Sequence, residues 1–230
     1  AKDYDEGVRW AVASNPNTPE ALLQHLAIDE DKFVRGKVAS NPNTPVQTLQ
    51  QLARRNEDRS VRRAVASNPN TPEALLQRLA KDKDKFVREE VASNPNTPEA
   101  LLQHLAKDYD ESVRRAVASN PNTPEALLQR LAKDAPPQAL QQLARDETIR
   151  GEVAKNPNTP VQALQQLARD ENLWVRRVVA SNPNTPETLL QQLTRRNEDR
   201  PVRQAVVSNP KTPEALLQQL TRDEDKFVRA

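Results

Sequence analysis

The apolar residues of the chain recur at helical spacing in two kinds of short segment. The first kind carries a leucine stripe: Leu22, Leu23 and Leu26 fall on one side of a helix, and the polar neighbours turn away. Thr18 and Pro19 precede the stripe, where a hydroxyl can cap a helix and a proline fits the first helical position. The pattern predicts a helix of about ten residues that begins at the Thr-Pro pair and buries its leucines.

The second kind of segment carries valine and alanine in place of leucine. Val8, Ala11 and Val12 share one face of a helix. This helix ends at Asn15, because the residue before a proline, here Pro16, disfavours the helical conformation. The segment is the shorter of the two and predicts about two turns. Neither helix can bury its stripe alone, so the two kinds must pack against each other and against neighbouring copies.

Both segments recur along the whole chain at a period of roughly 26 residues, which indicates a repeat protein. An Asn-Pro pair marks the copies at Asn15, Asn41, Asn68, Asn94, Asn120, Asn156, Asn182 and Asn209. The leucine that closes the second helix recurs at Leu26, Leu52, Leu79, Leu105, Leu131, Leu143, Leu167, Leu193 and Leu220. The sequence predicts an all-α solenoid of two helical layers, like HEAT and armadillo arrays. In it, residues 1–230 form a single array of about nine repeats of 24–27 residues.

One interval breaks the period. Leu131 and Leu143 lie less than half a repeat apart. A Val-Arg segment with its turn, roughly 14 residues, is therefore missing between Asp134 and Ala135. Either the chain has lost a half-repeat, or the intact protein contains a further stretch here. We expect the second, because joining two leucine helices directly would leave the apolar faces of both neighbours uncovered. Both ends of the sequence fall inside a repeat, so we also expect a longer protein around it.

Composition narrows the class of protein. Basic and acidic residues number 34 and 32, so no field of one sign attracts nucleic acid or an anionic membrane. The chain has no cysteine and two histidines, which removes thiolate metal sites, cysteine nucleophiles and disulfides. No apolar run approaches the roughly 20 residues of a membrane-spanning helix, and no signal segment is visible. We therefore expect a cytoplasmic protein with no membrane partner.

The repeated motif resembles a known family. The stretch V-R-R-A-V-A-S-N-P-N-T-P-E-A-L-L-Q-R-L-A-K-D runs from Val61 to Asp82 and again from Val113 to Asp134. It closely resembles the leucine-rich repeat variant family, a bacterial type of repeat protein. The resemblance implies a right-handed superhelix of alternating α- and 3₁₀-helices in two layers. We expect the Val-Arg segment to be the 3₁₀-helix, although its valine spacing of four suits an α-helix at least as well.

The resemblance also bears on cofactors and activity. One member of the family carries a cysteine-ligated iron–sulfur cluster outside its repeats. No cysteine is present here to bind such a cluster, so we expect no cofactor. The family has no established enzymatic activity, and the resemblance therefore implies a fold more than a function.

An arginine follows the valine position in each repeat and forms a ladder along the array. Its members are Arg9, Arg35, Arg62, Arg88, Arg114, Arg150, Arg176, Arg203 and Arg229. An aspartate lies four residues earlier in eight of the nine cases, which is the favoured order for an ion pair within a helix. The ladder can be interpreted as a track for phosphates. We expect the other interpretation, in which the arginines pair within their repeats and fasten the loops.

Other recurring polar residues are expected to be structural. Ser14 and Asn15 have equivalents in the other repeats, where such side chains bond nearby backbone groups and close the turn. A catalytic site needs a unique constellation and is seldom built from a residue that recurs at equivalent positions. His25 and His104 occupy a variable position three repeats apart, too far to share a metal. The sequence predicts no catalytic residue and no metal ligand.

Three positions vary while the frame stays constant: the residue before the valine and the two residues after the arginine. Aromatic residues fill several of them and give the candidates Trp10, Phe33, Phe86, Trp174 and Phe227. Arginine fills others and gives the candidates Arg63, Arg115 and Arg177. Aromatic and arginine side chains are preferred interface anchors, so we predict that these residues bind a partner. The alternatives are neutral surface variation, or packing of the aromatic rings between the layers.

These observations predict a non-catalytic scaffold that binds a protein or peptide. A long array can offer more than the roughly 800 Å² per partner that a specific interface uses. The alternative is a nucleic-acid backbone bound through the arginine ladder, and the nearest cluster of bases for it is Arg54, Arg55, Arg59, Arg62 and Arg63. We expect such binding to be absent or weak, because the arginines have aspartates nearby and the formal net charge is only +2.

Overall fold

The computed structural model describes residues 5–54, 58–133, 143–194 and 200–220. Within these ranges the regular elements are all α-helices, and no strand is present. The backbone divides into two compact units, Ala1–Asn120 (unit 1) and Pro121–Ala230 (unit 2). The prediction of an all-α repeat solenoid is confirmed. No helix in the described ranges has the length and apolar character needed to cross a membrane.

Two kinds of helix alternate along the chain, the valine-arginine helices and the leucine helices. In unit 1 the valine-arginine helices are α1 (Glu6–Ser14), α3 (Lys32–Ser40), α5 (Arg59–Ser67), α7 (Lys85–Ser93) and α9 (Glu111–Ser119), and the leucine helices are α2 (Glu20–Leu26), α4 (Val46–Arg54), α6 (Glu73–Leu79) and α8 (Glu99–Leu105). In unit 2 the valine-arginine helices are α11 (Leu143–Lys155), α13 (Leu173–Ser181) and α15 (Arg200–Ser208), and the leucine helices are α10 (Glu125–Lys133), α12 (Val161–Leu167), α14 (Glu187–Leu193) and α16 (Glu214–Leu220).

The predicted order of helix lengths is wrong in most repeats, although the leucine helices α4 and α10 have nine residues, and the 3₁₀ assignment is wrong. The valine-arginine helix α3 is an α-helix of nine residues, whereas the leucine helix α2 has seven. The leucine helix is short because Pro19 has an extended backbone (φ −60°, ψ 145°) and is therefore the residue before the helix and not its first residue. The valine-arginine helix begins at Lys32, where the side chain of Asp31 caps the first turn by accepting from the amides of Phe33 and Val34.

The threonine of each Thr-Pro pair has a different role from the predicted one. Thr18 Oγ1 makes no cap bond to α2 and instead donates a hydrogen bond of 2.6 Å to the carbonyl oxygen of Val12. The same carbonyl accepts from the Asn15 amide at 3.2 Å. A helix leaves its last carbonyls without an intrahelical partner, so the hydroxyl completes the end of the preceding helix and does not begin the next one.

The apolar core lies between the two kinds of helix. Leu23, Leu26, Val34 and Val38 are almost completely buried, as the leucine and valine stripes predict. Within each unit, each valine-arginine helix packs directly on the next one. In α1, however, Val8 and Ala11 are exposed and Val12 is only half-buried, in contrast to the prediction. The described ranges contain no helix before α1 that would cover these positions.

The chain between α10 and α12 departs from the regular repeat. Asp146, Glu147 and Thr148, which align with the loop before the other valine-arginine helices, lie inside α11, which is thirteen residues long. Asn158 Nδ2 donates a hydrogen bond to Pro121 O, 37 residues earlier, whereas the same contact elsewhere spans 27 or 28 residues. The turns at residues 121 and 158 therefore stack as neighbours although a longer stretch of chain separates them.

The junction of Asp134 and Ala135 lies outside the described residues, and the expected further stretch there remains a prediction. The peptide that spans this junction should be about 1.5 kDa heavier than the present sequence gives, since about 14 residues are expected. Peptide mapping by mass spectrometry of the protein from its natural source checks this. A peptide that reads across Asp134-Ala135 in that protein would contradict it.

A second ladder, made of buried asparagines, joins each repeat to the previous one. Asn94 Nδ2 donates to the carbonyl oxygens of Ala66 and Asn68, at 2.7 and 3.0 Å, and Asn94 Oδ1 accepts from the amide of Asn96 at 2.9 Å. The equivalent donors are Asn41, Asn68 and Asn120 in unit 1 and Asn182 and Asn209 in unit 2. The prediction that these asparagines are structural is confirmed. They hold the turn and also fasten it to its neighbour.

The asparagine ladder gives a stability prediction. Replacing Asn94 by alanine should lower the free energy of unfolding by about 2–3 kcal/mol, because two carbonyl oxygens and one amide each lose a hydrogen bond in a buried place. The control is Asn96→Ala in the same turn, where an exposed side chain donates one bond to Pro69 O, and about 1 kcal/mol or less is expected. Urea denaturation measures both variants, and equal losses would contradict the assignment.

Candidate partner-binding surface

The three variable positions lie together on one side of each valine-arginine helix, because they follow the spacing i, i+3, i+4. We call this surface the variable face. In unit 1 it comprises Gly7, Trp10 and Ala11 of α1, Phe33, Gly36 and Lys37 of α3, Ser60, Arg63 and Ala64 of α5, Phe86, Glu89 and Glu90 of α7, and Ser112, Arg115 and Ala116 of α9. In unit 2 it comprises Thr148, Gly151 and Glu152 of α11, Trp174, Arg177 and Val178 of α13, and Pro201, Gln204 and Ala205 of α15.

The predicted aromatic anchors are exposed on this face. Trp10, Phe33, Phe86 and Trp174 have 37–57% of their surface accessible, so they do not pack between the layers. Phe227 lies outside the described residues. Arg63, Arg115 and Arg177 are exposed as well.

Neighbouring repeats meet across the variable face in a constant register. Lys37 Nζ lies 4.7 Å from the ring centroid of Trp10 in the previous helix, and the guanidinium carbon of Arg63 lies 5.5 Å from the ring centroid of Phe86 in the next one. Arg63 Nη2 also donates to Glu90 Oε1 at 2.5 Å. Each group of exposed side chains is therefore built by two adjacent helices, and a ligand on this face would contact both.

Gly151 makes room for Trp174, a relation that the sequence reasoning missed. A Cβ atom on Gly151 would lie 1.8 Å from Trp174 Cζ3, so the indole ring rests directly on the backbone of α11. The sequence does give one indication that this position is special, since Gly151 is one of only three glycines in the chain. The glycine thus permits a flat, half-exposed tryptophan at this place.

A row of cations lines the edge of the variable face in unit 1 and was also missed. The first residues of three successive valine-arginine helices form this basic edge: Lys32, Arg59 and Lys85. Each forms an ion pair with the aspartate that precedes the next valine-arginine helix, and the N···O distances are 3.8 Å for Lys32–Asp58, 3.6 Å for Arg59–Asp84 and 3.2 Å for Lys85–Asp110.

The arginine ladder fastens loops, but its predicted pairing within the helix is wrong. Arg88 Nε and Nη2 donate to the carboxylate of Asp108, 20 residues later, at 2.6 and 3.0 Å. Arg88 Nη1 donates to the carbonyl oxygens of Asp82 and Lys83 at 2.8 and 3.3 Å. One guanidinium therefore joins two successive loops. The same pairing, with the same sequence separation, occurs at Arg9–Asp29, Arg62–Asp82 and Arg150–Asp170.

The predicted pairing within the helix fails because the aspartate four residues before the arginine caps the helix instead. Asp84 Oδ1 accepts a hydrogen bond of 2.9 Å from the amide of Phe86 and so caps α7. Asp5, Asp31, Asp58 and Asp110 cap their helices in the same way, and Asn172 replaces aspartate before α13. An N-cap carboxylate points at the start of its own helix and away from a side chain one turn later.

Several aspartates have a lowered pKa because of these bonds. Burial by itself would raise the pKa of Asp82, but the hydrogen bond from Arg62, the bond from the amide of Asp84 and the charge of Arg62 outweigh it, and the pKa lies below its ordinary value of 3.8. Burial would also raise the pKa of Asp29, but hydrogen bonds from Arg9 and from the amide of Asp31, together with nearby arginine charges, lower it. The hydrogen bond from the hydroxyl of Ser60 lowers the pKa of Asp58.

The lowered pKa values predict loss of stability in acid. In the window between the folded and the unfolded pKa the unfolded chain binds more protons, so the free energy of unfolding falls as the pH drops below about 4. Urea denaturation at pH 7, 4 and 3 measures this. The variant Asp82→Asn should be less stable at pH 7 and show a shallower decline below pH 4. An unchanged free energy of unfolding between pH 7 and 3 would contradict the prediction.

Of the described bases predicted as a nucleic-acid cluster, Arg59 and Arg63 lie on one exposed surface, whereas Arg62 and Arg54 do not join them. Arg62 is buried against Asp82, Arg59 pairs with Asp84 and Arg63 pairs with Glu90. Arg54 belongs to the leucine helix α4, where it lines a shallow hollow of about 430 Å³ with Gln47, Gln50 and Gln51. Arg55 lies outside the described residues.

The other polar candidates have structural surroundings. His25 and His104 are exposed on leucine helices, as predicted. Ser14 Oγ donates to the carbonyl of Trp10 within its own helix at 2.8 Å. Within the described ranges no three histidine, aspartate or glutamate side chains converge as a metal ion would require, and the chain has no cysteine for an iron–sulfur cluster.

One cleft of unit 2 is built from the recurring turns. It has a volume of about 740 Å³ and is lined mainly by Asn-Pro-Asn-Thr-Pro residues, with Glu125 and Lys211 as its charged side chains. Since the repeat itself supplies most of the lining, the cleft reflects the packing of the turns. It brings no set of side chains together that would act on a substrate.

Comparison with known proteins gives two kinds of match. A protein-family model described as "Leucine Rich Repeat Variant domain" matches residues 35–90 and 88–147. A solved structure described as "a leucine-rich repeat variant with a novel repetitive protein structural motif" is 30% identical over 91% of this chain and 78% of that chain, with a TM-score of 0.62. A designed armadillo repeat protein in complex with the peptide (KR)4 is 15% identical over 97% of this chain and 86% of that chain. Its TM-score is 0.21, too low to bear on this chain. No curated protein matches the sequence.

Proposed function

The chain belongs to the leucine-rich repeat variant family, and on this premise we propose that it is a non-catalytic scaffold that binds a protein or peptide through its variable face. The observation that carries the proposal is the exposure of Trp10, Phe33, Phe86 and Trp174 on a frame whose recurring leucines and valines are buried in most repeats. Large aromatic side chains at the surface are preferred anchors of interfaces.

The recurring polar groups already make structural hydrogen bonds, which supports a non-catalytic role. Asp84 caps a helix, Asn94 bonds two carbonyls, Thr97 Oγ1 donates to Val91 O at 2.5 Å, and Arg88 holds two loops. A nucleophile or general base must be available to a substrate in the site where it acts. The groups that recur most often in this chain are engaged with the backbone instead.

The same geometry favours a protein or peptide over a nucleic-acid backbone. In the arginine ladder Arg62, Arg88, Arg176 and Arg203 are at most 6% exposed, so their guanidinium groups face the loops and not the solvent. Phosphate tracking needs cations that neutralise the phosphates from the surface. The ladder therefore gives the nucleic-acid alternative no support.

Selection from a library of displayed random peptides tests the proposal with the whole chain as bait. We expect enriched peptides that lose binding to the variant Trp10→Ala/Phe33→Ala/Phe86→Ala/Trp174→Ala. The control has the same number of exposed changes on the leucine helices, Gln24→Ala/Gln50→Ala/Gln103→Ala/Gln191→Ala, and should keep binding. Circular dichroism verifies that both variants are folded. No enrichment, or equal binding to both variants, would overturn the proposal.

A further inference from the structure

Three cations surround one aromatic ring on unit 1. The guanidinium carbons of Arg59 and Arg63 both lie 5.5 Å from the ring centroid of Phe86, and Lys85 Nζ lies 5.3 Å from it. Cations within about 6 Å of a ring centroid are attracted to the ring. Helix α5 supplies two of the three and α7 the third, so the cluster forms where two repeats meet.

The preceding repeats continue the same combination of ring and cation. Lys32 Nζ lies 5.3 Å from the ring centroid of Phe33, and Lys37 Nζ lies 4.7 Å from that of Trp10. Exposed cations and rings therefore follow one another across α3, α5 and α7. This stretch joins the basic edge to the variable face.

The acids that pair with these cations are recessed behind them. The side chains of Lys32, Arg59, Arg63 and Lys85 are 44–60% exposed, whereas those of their partners Asp58, Asp84, Glu90 and Asp110 are 18–26% exposed. A ligand from solvent meets the positive groups first, although the formal charges nearly balance. Exposed ion pairs are weak, so the cations can turn to a ligand.

The N-cap bonds keep the recessed aspartates in place. Asp58, Asp84 and Asp110 accept hydrogen bonds from the amides of Ser60, Phe86 and Ser112 at 2.9–3.0 Å. When a cation leaves one of them for a ligand, the carboxylate keeps a backbone donor. The exchange therefore leaves none of these three carboxylates without a hydrogen-bond donor.

The geometry points to an acidic peptide as the partner of unit 1, bound in extended form across α3, α5 and α7, and this inference rests on the proposed function. One carboxylate of the peptide lies among Arg59, Arg63 and Lys85, and another lies at Lys32, one repeat earlier. The exposed parts of the Phe33 and Phe86 rings contact the peptide between these points.

The repeat spacing sets the spacing of the acids in the peptide. Packed helices lie about 8–10 Å apart, and an extended chain rises about 3.3 Å per residue. One repeat of the scaffold therefore matches about three residues of the ligand. An acid at every third position meets successive clusters of cations.

Fluorescence anisotropy with labelled twelve-residue peptides tests the inference on the full chain. The probes are four copies of Glu-Gly-Ser, of Gln-Gly-Ser and of Lys-Gly-Ser, and a peptide with its four glutamates in one block. We expect the Glu-Gly-Ser peptide to bind at least about tenfold more tightly than each of the other three. Equal affinity for the Glu and Gln peptides would overturn the inference.

Variants locate the site. The double variant Arg59→Glu/Arg63→Glu should weaken binding of the Glu-Gly-Ser peptide by at least about tenfold, and Arg59→Lys/Arg63→Lys should keep most of it. The matched control is Arg78→Glu, which reverses an exposed arginine of the same repeat on leucine helix α6. Arg59→Gln/Arg63→Gln provides a milder change should the reversed variant unfold. If Arg78→Glu weakens binding as much as the double variant does, the proposed position of the peptide is wrong.

Further outcomes distinguish failure of the acidic-peptide inference from failure of the scaffold proposal on which it rests. If library peptides of another composition bind through Trp10 and Phe86 while the Glu-Gly-Ser peptide does not, the acidic class is wrong and the scaffold proposal stands. If no peptide binds, both fail. A twelve-nucleotide single-stranded DNA that binds more tightly than the peptide and depends on Arg59 and Arg63 would replace the peptide by nucleic acid.

Discussion

Replacing Arg88 by methionine is expected to lower the free energy of unfolding by about 3–5 kcal/mol. The guanidinium is 5% exposed and makes a bidentate pair with Asp108, whose side chain is 8% exposed. Methionine fills similar space but leaves that carboxylate in a buried place without its counter-charge, which is the strongly destabilising case for a buried pair. It also removes the donors that hold the carbonyls of Asp82 and Lys83.

The matched control is Lys85→Met in the same helix. Lys85 forms an ion pair with Asp110 at 3.2 Å but is largely exposed, so the change should cost less than about 1 kcal/mol. Combining Arg88→Met with Asp108→Asn should cost less than the sum of the two single changes, since no unpaired charge remains. Urea denaturation gives all four values. Additive losses would show that the two residues do not act as a pair.

Truncating Leu102 to alanine should lower the free energy of unfolding by about 2–5 kcal/mol, because the side chain is completely buried in α8 and its removal leaves a cavity. The value depends on how far the neighbouring repeats close around the space. The adjacent Gln103 is exposed and bonds only Glu99 on its own helix, so Gln103→Ala should cost less than about 0.5 kcal/mol. Similar losses for these two neighbours would mean that the faces of the helix are misassigned.

The layers of the fold could be predicted because their signals are local. A leucine stripe marks a buried helical face wherever it lies, and the proline after Asn15 ends a helix by steric contact with the residue before it. Both signals act within one repeat. The burial of Leu23 and the end of α1 at Ser14 follow from them.

The pairing of the arginines could not be predicted, because an exact repeat offers each arginine two acids of the same type. Arg88 has Asp84 four residues before it and Asp108 twenty residues after it. Sequence spacing favours the first, since i, i+4 neighbours touch on a helix. The structure uses the second, because Asp84 is already bonded to the amide of Phe86. Capping competes with side-chain pairing, and the periodic pattern contains both.

The candidate surface could be predicted in composition but not in arrangement. Trp10, Phe86 and Trp174 stand out as aromatic residues in variable positions. That Trp174 rests on Gly151, and that Arg63 reaches Phe86, depends on the stacking of one repeat on the next. Such contacts join residues of successive repeats and leave no signal within a single repeat.

The asparagine ladder gives each stack of turns a polarity. In unit 1 the carboxamides of Asn41, Asn68, Asn94 and Asn120 donate toward the earlier repeat. The backbone carbonyl oxygens of Asn41, Asn68 and Asn94 accept in turn from the later repeat. One end of such a ladder is thus a set of acceptors and the other a set of donors. Two copies related by a twofold axis would bring like ends together, acceptor to acceptor or donor to donor. A further copy can therefore extend the ladder only head to tail. The surface that it presents must offer carboxamide donors to the acceptor end or paired carbonyl oxygens to the donor end.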